Sequence, residues 1–208
     1  MQIVLEPYRT FVGKNPTQTN YYQPVLDQLN VTPSHFDLLK SSVLVEGKSD
    51  YFIIEYARRV LLEDKSDIAI LPMNGATSYN SVLPILIGWG VPFIILLDDD
   101  PAGQKAKKNY LKSFPVDDNQ VFTLSDLGSG MQNESIEGLL TDEDISLIKS
   151  YYNLKNVTKG AMKSKIQLFF SEHLARKEKV DLSNAFNSKI RKINSKIHEY
   201  FINLTTRK

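Results

Sequence analysis

The chain has no cysteine among its 208 residues. Disulfide frameworks, thiolate zinc sites and cysteine nucleophiles are thereby excluded. Its three histidines, His35, His173 and His198, lie far apart and form no metal-ligand spacing, so each reads as an ordinary surface or packing residue. Any metal must then be held by carboxylates, and oxygen donors favour magnesium, manganese or calcium over zinc. No stretch reaches the roughly 18 consecutive apolar residues of a spanning helix. The start, MQIVLEPYRTF, lacks the basic region leading into an apolar run that marks a signal peptide. A cytoplasmic protein without a membrane anchor is the expectation. Strong net charge is missing as well, but the total of +1 hides an asymmetry. From Leu154 onward there are thirteen Lys or Arg against four Asp or Glu, or 13 − 4 = +9, and the first 153 residues carry 12 − 20 = −8. An acidic body with a basic tail suits an enzyme that gathers metal ions and also touches a polyanion. A solvated, lysine-rich helical face would produce the same count.

An apolar fraction of 42% with 24% charged residues is that of a soluble globular protein rather than a disordered one. Residues 1–40 read as an extended leader with two short helical pieces, broken by Pro7, Pro16, Pro24 and Pro33. This segment resembles a linker more than a domain, so the chain is expected to be the end of a longer polypeptide or to work beside a partner. Three β-branched apolar runs follow: SSVLVE (41–46), DIAILP (67–72) and VPFIILLD (91–98). Each has strand length, and the third is too continuously apolar to have a wet face. After the first, Phe52, Ile53, Tyr56, Ala57, Val60 and Leu61 recur at helical steps, with Ser49 or Asp50 as cap. A turn at Asn74-Gly75 and a helix follow the second run, PAGQKAKKNYLKSF follows the third, and NQVFTL (119–124) makes a fourth strand.

Strands and helices alternating at this pitch imply right-handed crossovers and an α/β, Rossmann-like parallel sheet of about four strands. A core at 41–140 is then followed by a helical, basic extension at 141–208. Within it, Asp142 or Thr141 caps a short helix, a second helix covers 159–176, and a third runs from about 183 to 205. In the third, Phe186, Ile190, Ile193, Ile197, Tyr200 and Leu204 form a narrow heptad seam, suited to packing within the chain or to pairing with a second copy.

In a parallel α/β sheet, function collects at the carboxyl ends of the strands. Two acidic segments fall there. In LVEGKSD, Glu46 ends the first run at a glycine turn and Asp50 follows one helical turn later. A charge beside so apolar a strand is costly unless it is paired or binds a cation. Gly47, Lys48 and Ser49 invite a phosphate-loop reading, but that motif needs another glycine at position 42, which is serine. In IILLDDDPAG, extended geometry puts Asp98 and Asp100 on one face and Asp99 on the other. Three successive carboxylates repel one another, and a divalent cation relieves that repulsion. Taken alone, an Asp-x-Asp also occurs in phosphatases, glycosyltransferases and simple capping turns.

Taken together, VEGKSD and LDDDPAG resemble the Toprim family, whose hallmark is a Glu-Gly turn after the first strand and an Asp-x-Asp after the third. Within it they look most like the nuclease domain of OLD-family (overcoming lysogenization defect) proteins and the related Gabija nuclease. The resemblance covers roughly 41–140 and the tail only loosely. It implies that Glu46 is a metal ligand and a general acid or base, that Asp98 and Asp100 bind metal, and that Asp50 fills the second acidic place in the first turn. It also implies a later acidic pair, best matched by Glu134 and Glu137 although Ser135 stands where an acid is expected, and a lysine near the scissile phosphate, Lys163 or Lys165. Two Mg²⁺ or Mn²⁺ ions are implied, with Ca²⁺ able to substitute structurally. A two-metal DNA endonuclease or nickase follows, with DNA held by its backbone on the basic tail and an ATPase domain or subunit preceding this part. The alternative is a non-catalytic Toprim-fold module for nucleic-acid binding or assembly, dimerising through the heptad helix. A phosphatase using Asp98 as nucleophile fits less well, since that family places its Asp-x-Asp after the first strand with a threonine following.

Overall fold

The computed structural model describes residues 40–73, 79–88 and 90–206. The leader up to residue 39, with His35, and the Asn74-Gly75 turn lie outside the described residues. The apolar runs form β1 (Ser42–Val45), β2 (Ala69–Pro72) and β3 (Phe93–Leu97), and β4 is Val121–Thr123. All pair in parallel, in the order β2-β1-β3-β4. Each strand is shorter than its run because the flanking residues belong to the connections. Val91, for example, donates its N–H to the Leu86 carbonyl at 2.9 Å, closing the turn into β3.

Alternation along the strands divides the core. Val43, Val45, Ile94 and Leu96 face one side, and Leu44, Phe93, Ile95 and Leu97 the other. The first face is covered by α1 (Lys48–Tyr56), which continues as a π-turn at Ala57–Leu61, and by the tail helices α5 (Asp142–Tyr151), α6 (Lys159–Arg176) and α7 (Asn184–Thr206). The second face carries α2 (Tyr79–Gly88) and α3 (Pro101–Ser113), and the short α4 (Leu124–Leu127) follows β4. The basic tail thus completes the same hydrophobic core as the sheet. None of the described helices is long and apolar enough to cross a membrane.

Two local expectations are corrected. Neither Ser49 nor Asp50 caps α1: Gly47 is the cap residue, and Asp50, at the third helical position, accepts the Gly47 N–H at 2.9 Å. Glycine has no side chain to cap with, so the bond comes back from within the helix. In α7, Phe186, Ile190, Ile193 and Ile197 are buried as the seam requires, but the next buried residue is Phe201, with Tyr200 half-buried against Phe122. A helix of 3.6 residues per turn drifts by about 20° per heptad from a 3.5 repeat, so after two heptads Tyr200 has turned toward one margin of the buried stripe and Phe201 lies at the other. The Leu204 side chain lies outside the described residues. The π-turn after α1 encloses Arg58, only 1% exposed. Its guanidinium donates to Asp64 at 3.0 Å, the Ser66 hydroxyl at 2.8 Å and the Ile68 carbonyl at 3.1 Å. Asp64 also meets His198 at 2.9 Å, and His173 bonds the Phe169 carbonyl at 2.8 Å, so both described histidines have packing partners.

Candidate metal centre

β1 is followed by a crossover to β2 on one side of it, whereas β3 is followed by a crossover to β4 on the other. The connections leaving β1 and β3 therefore diverge, which makes the carboxyl ends of these two adjacent strands the switch point of the sheet. Val45 and Leu96 are in register, so the residues that leave these strands, Glu46 and Asp98, become neighbours. The Asp98 backbone N–H donates to Glu46 Oε1 at 3.1 Å across 52 positions of sequence.

The other acids arrive by three routes. Asp50 is placed by the first turn of α1 and is 3% exposed. Asp100 caps α3, accepting the Gly103 N–H at 2.7 Å, with Pro101 at the first helical position. Gly103 is required there because a Cβ would collide with the Asp98 carbonyl oxygen. Glu137 comes from the 3₁₀ turn Glu137–Leu139, just after Ile136, whose N–H donates to Asp98 Oδ1 at 3.1 Å.

The electrostatics of this cluster is one-sided. Burial pushes the Glu46 carboxyl above its ordinary value, with the charges of Asp100 and Glu137 adding and the Asp98 N–H and Lys163 opposing. Asp98 is pushed up to about 7, first by burial and then by Glu46, against the pull of the Ile136 N–H. Asp50 goes up to about 8, again first by burial and then by Glu137 and Asp98. Lys163 lies 2.6 Å from Glu137. Burial opposes its charge, but Glu137, Asp50 and Asp98 together hold its ammonium above the ordinary value.

The sequence-derived candidates therefore separate. Glu46, Asp50, Asp98, Asp100, Glu137 and Lys163 act on one another. Glu134 is close in the chain, but its carboxylate lies over Gly138 and its carbonyl accepts the Asp99 N–H at 2.8 Å. Ser135 accepts the Gly138 N–H at 3.1 Å and so stabilises that turn. Lys165 stands 5.0 Å from the centre of the Tyr152 ring. Asp99 turns away from the other two aspartates, as strand geometry implies.

Tyr79 is a residue that sequence reasoning missed. It is fully buried at the start of α2, its ring 5.1 Å from that of Tyr110, and its hydroxyl has no hydrogen-bond partner among the described residues. Burial, followed by the charge of Glu46 and more weakly by Tyr110, Asp50 and Asp98, holds that hydroxyl far above the ordinary tyrosine range. No spacing in the sequence connects it to the acids; only the packing of α2 against the sheet does.

Residues 39–100 match the family model of the overcoming lysogenization defect protein-like TOPRIM domain. This stretch is an OLD-like TOPRIM domain. No curated protein and no solved structure gives a significant match to the chain. TOPRIM domains are typically nuclease- or primase-like and generally bind divalent metals. The match spans Glu46, Asp50, Asp98 and Asp100 and ends before Glu134, Glu137 and the lysines.

Glu46, Asp50 and Asp98 suit a hard divalent cation in their chemistry: they are oxygen donors, desolvated and driven toward protonation by burial and by neighbouring carboxylates. Asp50 Oδ1 and the Ser49 and Tyr79 hydroxyls are buried without partners among the described residues, although buried polar atoms are normally satisfied. Among the described residues, however, no three His, Asp or Glu side chains converge closely enough to hold an ion as they stand. One oxygen each of Glu46, Asp98 and Asp50 is turned onto a backbone N–H.

Proposed function

We propose that the chain is the nuclease part of an OLD-like ATPase–nuclease system, hydrolysing DNA phosphodiesters with two divalent cations, Mg²⁺ or Mn²⁺. What supports this most is the gathering of Glu46, Asp50 and Asp98 at the switch point of the sheet, desolvated and opposed by one lysine, Lys163. Glu46, Asp98 and Asp100 would hold one ion, and Asp50 with Glu137 the other, whereas the Glu134 carboxylate lies over Gly138 and would have to turn to join them. Bound there, the ions would supply an activated water and charge neutralisation for an in-line displacement.

The chain's own groups account for the rest. Glu46, at the end of β1 with one oxygen on the Asp98 N–H, is the carboxylate that would take the proton of the attacking water. Lys163, once a phosphate competes for it with Glu137, would balance charge growing on the transferring phosphoryl group. No side-chain nucleophile is needed. Lys155, Lys159, Arg191, Lys192 and Lys196 are exposed on the tail and would grip the DNA backbone without reading sequence. A homodimer would have to use a surface other than the α7 seam, whose described residues are buried within the chain apart from the half-buried Tyr200.

Supercoiled plasmid with Mn²⁺ tests the proposal. The parent should nick it, and Glu46→Gln and Asp98→Asn should each lower the rate at least about a hundredfold. Undiminished nicking by either variant would sink the site. Calorimetry separates the non-catalytic alternative: saturable Mn²⁺ binding lost in Asp100→Ala supports the enzyme, and no divalent binding supports a nucleic-acid-binding or assembly module.

A further inference from the structure

Asp99, the middle aspartate after β3, makes no contribution to the crowded face of the centre, yet it is 6% exposed and its carboxylate is surrounded by donors. Oδ2 accepts the Asn133 backbone N–H at 2.7 Å. Oδ1 accepts the Ser125 hydroxyl at 2.7 Å and the side-chain amide of Gln104. In return, the Asp99 N–H donates to the Glu134 carbonyl at 2.8 Å. These bonds reach α3, α4 and the segment that leads to Glu137. Burial would raise the carboxyl, but its donors outweigh that and hold it below the ordinary range.

Between Met131 and Ile136 the segment so held has no ladder or helix of its own, and the 3₁₀ turn with Glu137 begins just beyond it. Asn133 is left-handed, with φ of 57°, and Gly130 has φ of 83°. Met131 and Ile136 are buried and anchor its two ends, leaving Gln132 to Ser135 between them without an apolar anchor. A backbone in this condition takes its geometry from whatever satisfies its polar groups. Here that is Asp99 for Asn133 and Glu134, and its neighbour Asp98 for Ile136.

We propose that Asp99 is a positioning residue that docks the 132–136 segment onto the end of β3 and so sets Glu137, which follows it, beside Glu46 and Asp98. The role of Glu137 in holding a second cation rests on the nuclease reading above, but the docking does not. The triple aspartate then divides its labour: the outer two face the centre, and the inner one fixes the segment that completes it.

Amide exchange by NMR and Mn²⁺ titration followed by electron paramagnetic resonance, on the full chain, test this together. In Asp99→Ala the Asn133 and Ile136 amides should exchange at least about tenfold faster while those of β1 and β3 are unchanged. The spin-coupled signal of two neighbouring Mn²⁺ ions should be lost, with one ion still bound. Asp99→Asn keeps one acceptor oxygen and should be intermediate, which covers the case in which the alanine variant fails to fold. Unchanged exchange at Asn133 in both variants would overturn the docking, and an Mn²⁺ titration identical to the parent's would overturn its consequence for the second ion. A parent that binds no Mn²⁺ overturns the nuclease reading instead, and the exchange rates still decide the docking.

Discussion

Asp50 and Asp144 occupy the same local position, the third residue of a helix, and both reach back to the N–H of the cap residue, at 2.9 and 2.8 Å. Both are nearly inaccessible, at 3% and 1%. Their carboxyl groups are nevertheless driven in opposite directions. Burial raises both. Around Asp144 the donors win, because Ser183 gives its N–H at 2.7 Å and its hydroxyl at 2.8 Å, while Thr141 gives its N–H and hydroxyl, both at 2.8 Å. Around Asp50 the cap residue is a glycine with no hydroxyl, one oxygen has no partner, and the nearby charges of Glu137 and Asp98 are negative. A satisfied buried carboxylate is structural. One left short of donors among its own kind is strained, and functional sites are where acids of this second kind cluster most.

The largest expected effect breaks the satisfied member. Asp144→Ala leaves the N–H groups of Ser183 and Thr141 buried without their acceptor and should cost about 3 kcal/mol in urea denaturation. An effect below about 1 kcal/mol would mean the two aspartates do not differ as described.

The pH dependence sharpens the contrast. The folded pKa of Asp144 lies below its unfolded value, so its stabilisation is present above the ordinary carboxylate range and is lost as pH falls through the depressed value. Asp50 has the opposite sign. Raised to about 8, it favours the folded state fully below its ordinary value of 3.8, and that advantage is lost as pH rises toward 8. Asp50→Asn should therefore stabilise the metal-free protein at pH 8 by about 2 kcal/mol and change little near pH 4. Thermal melts across that range check it, and equal effects at both ends would refute the assignment.

The smallest effect concerns two buried tyrosines. Tyr56 accepts the Val180 N–H at 2.8 Å and donates to the Glu178 carbonyl at 3.3 Å, so Tyr56→Phe should cost about 1 kcal/mol. Tyr79 has no such partner, so Tyr79→Phe should be neutral or stabilising by up to about 1 kcal/mol in metal-free protein. Destabilisation by Tyr79→Phe as large as that of Tyr56→Phe would show that its hydroxyl is not unsatisfied.

The strands were legible because parallel strands covered on both faces need continuous β-branched apolar runs, and 41–46, 67–72 and 91–98 are such runs. The α7 stripe was legible because burial of one helical face imposes its period on the sequence. Glu46, Asp98 and Asp100 stood out because acids directly after apolar strands are costly to place and hence conspicuous. Tyr79 and Asp99 were not legible. A tyrosine near a helix start resembles any core tyrosine, and Asp99 reads as one more acid until Ser125, Gln104 and Asn133 are seen to converge on it. Lys163 and Lys165, two residues apart on α6, could be told apart only by the direction each takes, one to Glu137 and the other to Tyr152.

By itself the sequence determined the alternating elements, the absence of thiolate chemistry and the acids that end β1 and β3, since each of these is written in local pattern. Tertiary structure decided the strand order that makes β1 and β3 neighbours, the helices that cover each face and the sign of each buried acid's shift. Those depend on groups brought together from distant parts of the chain, and neither desolvation nor the balance of donors and charges around a carboxylate exists until the chain has folded.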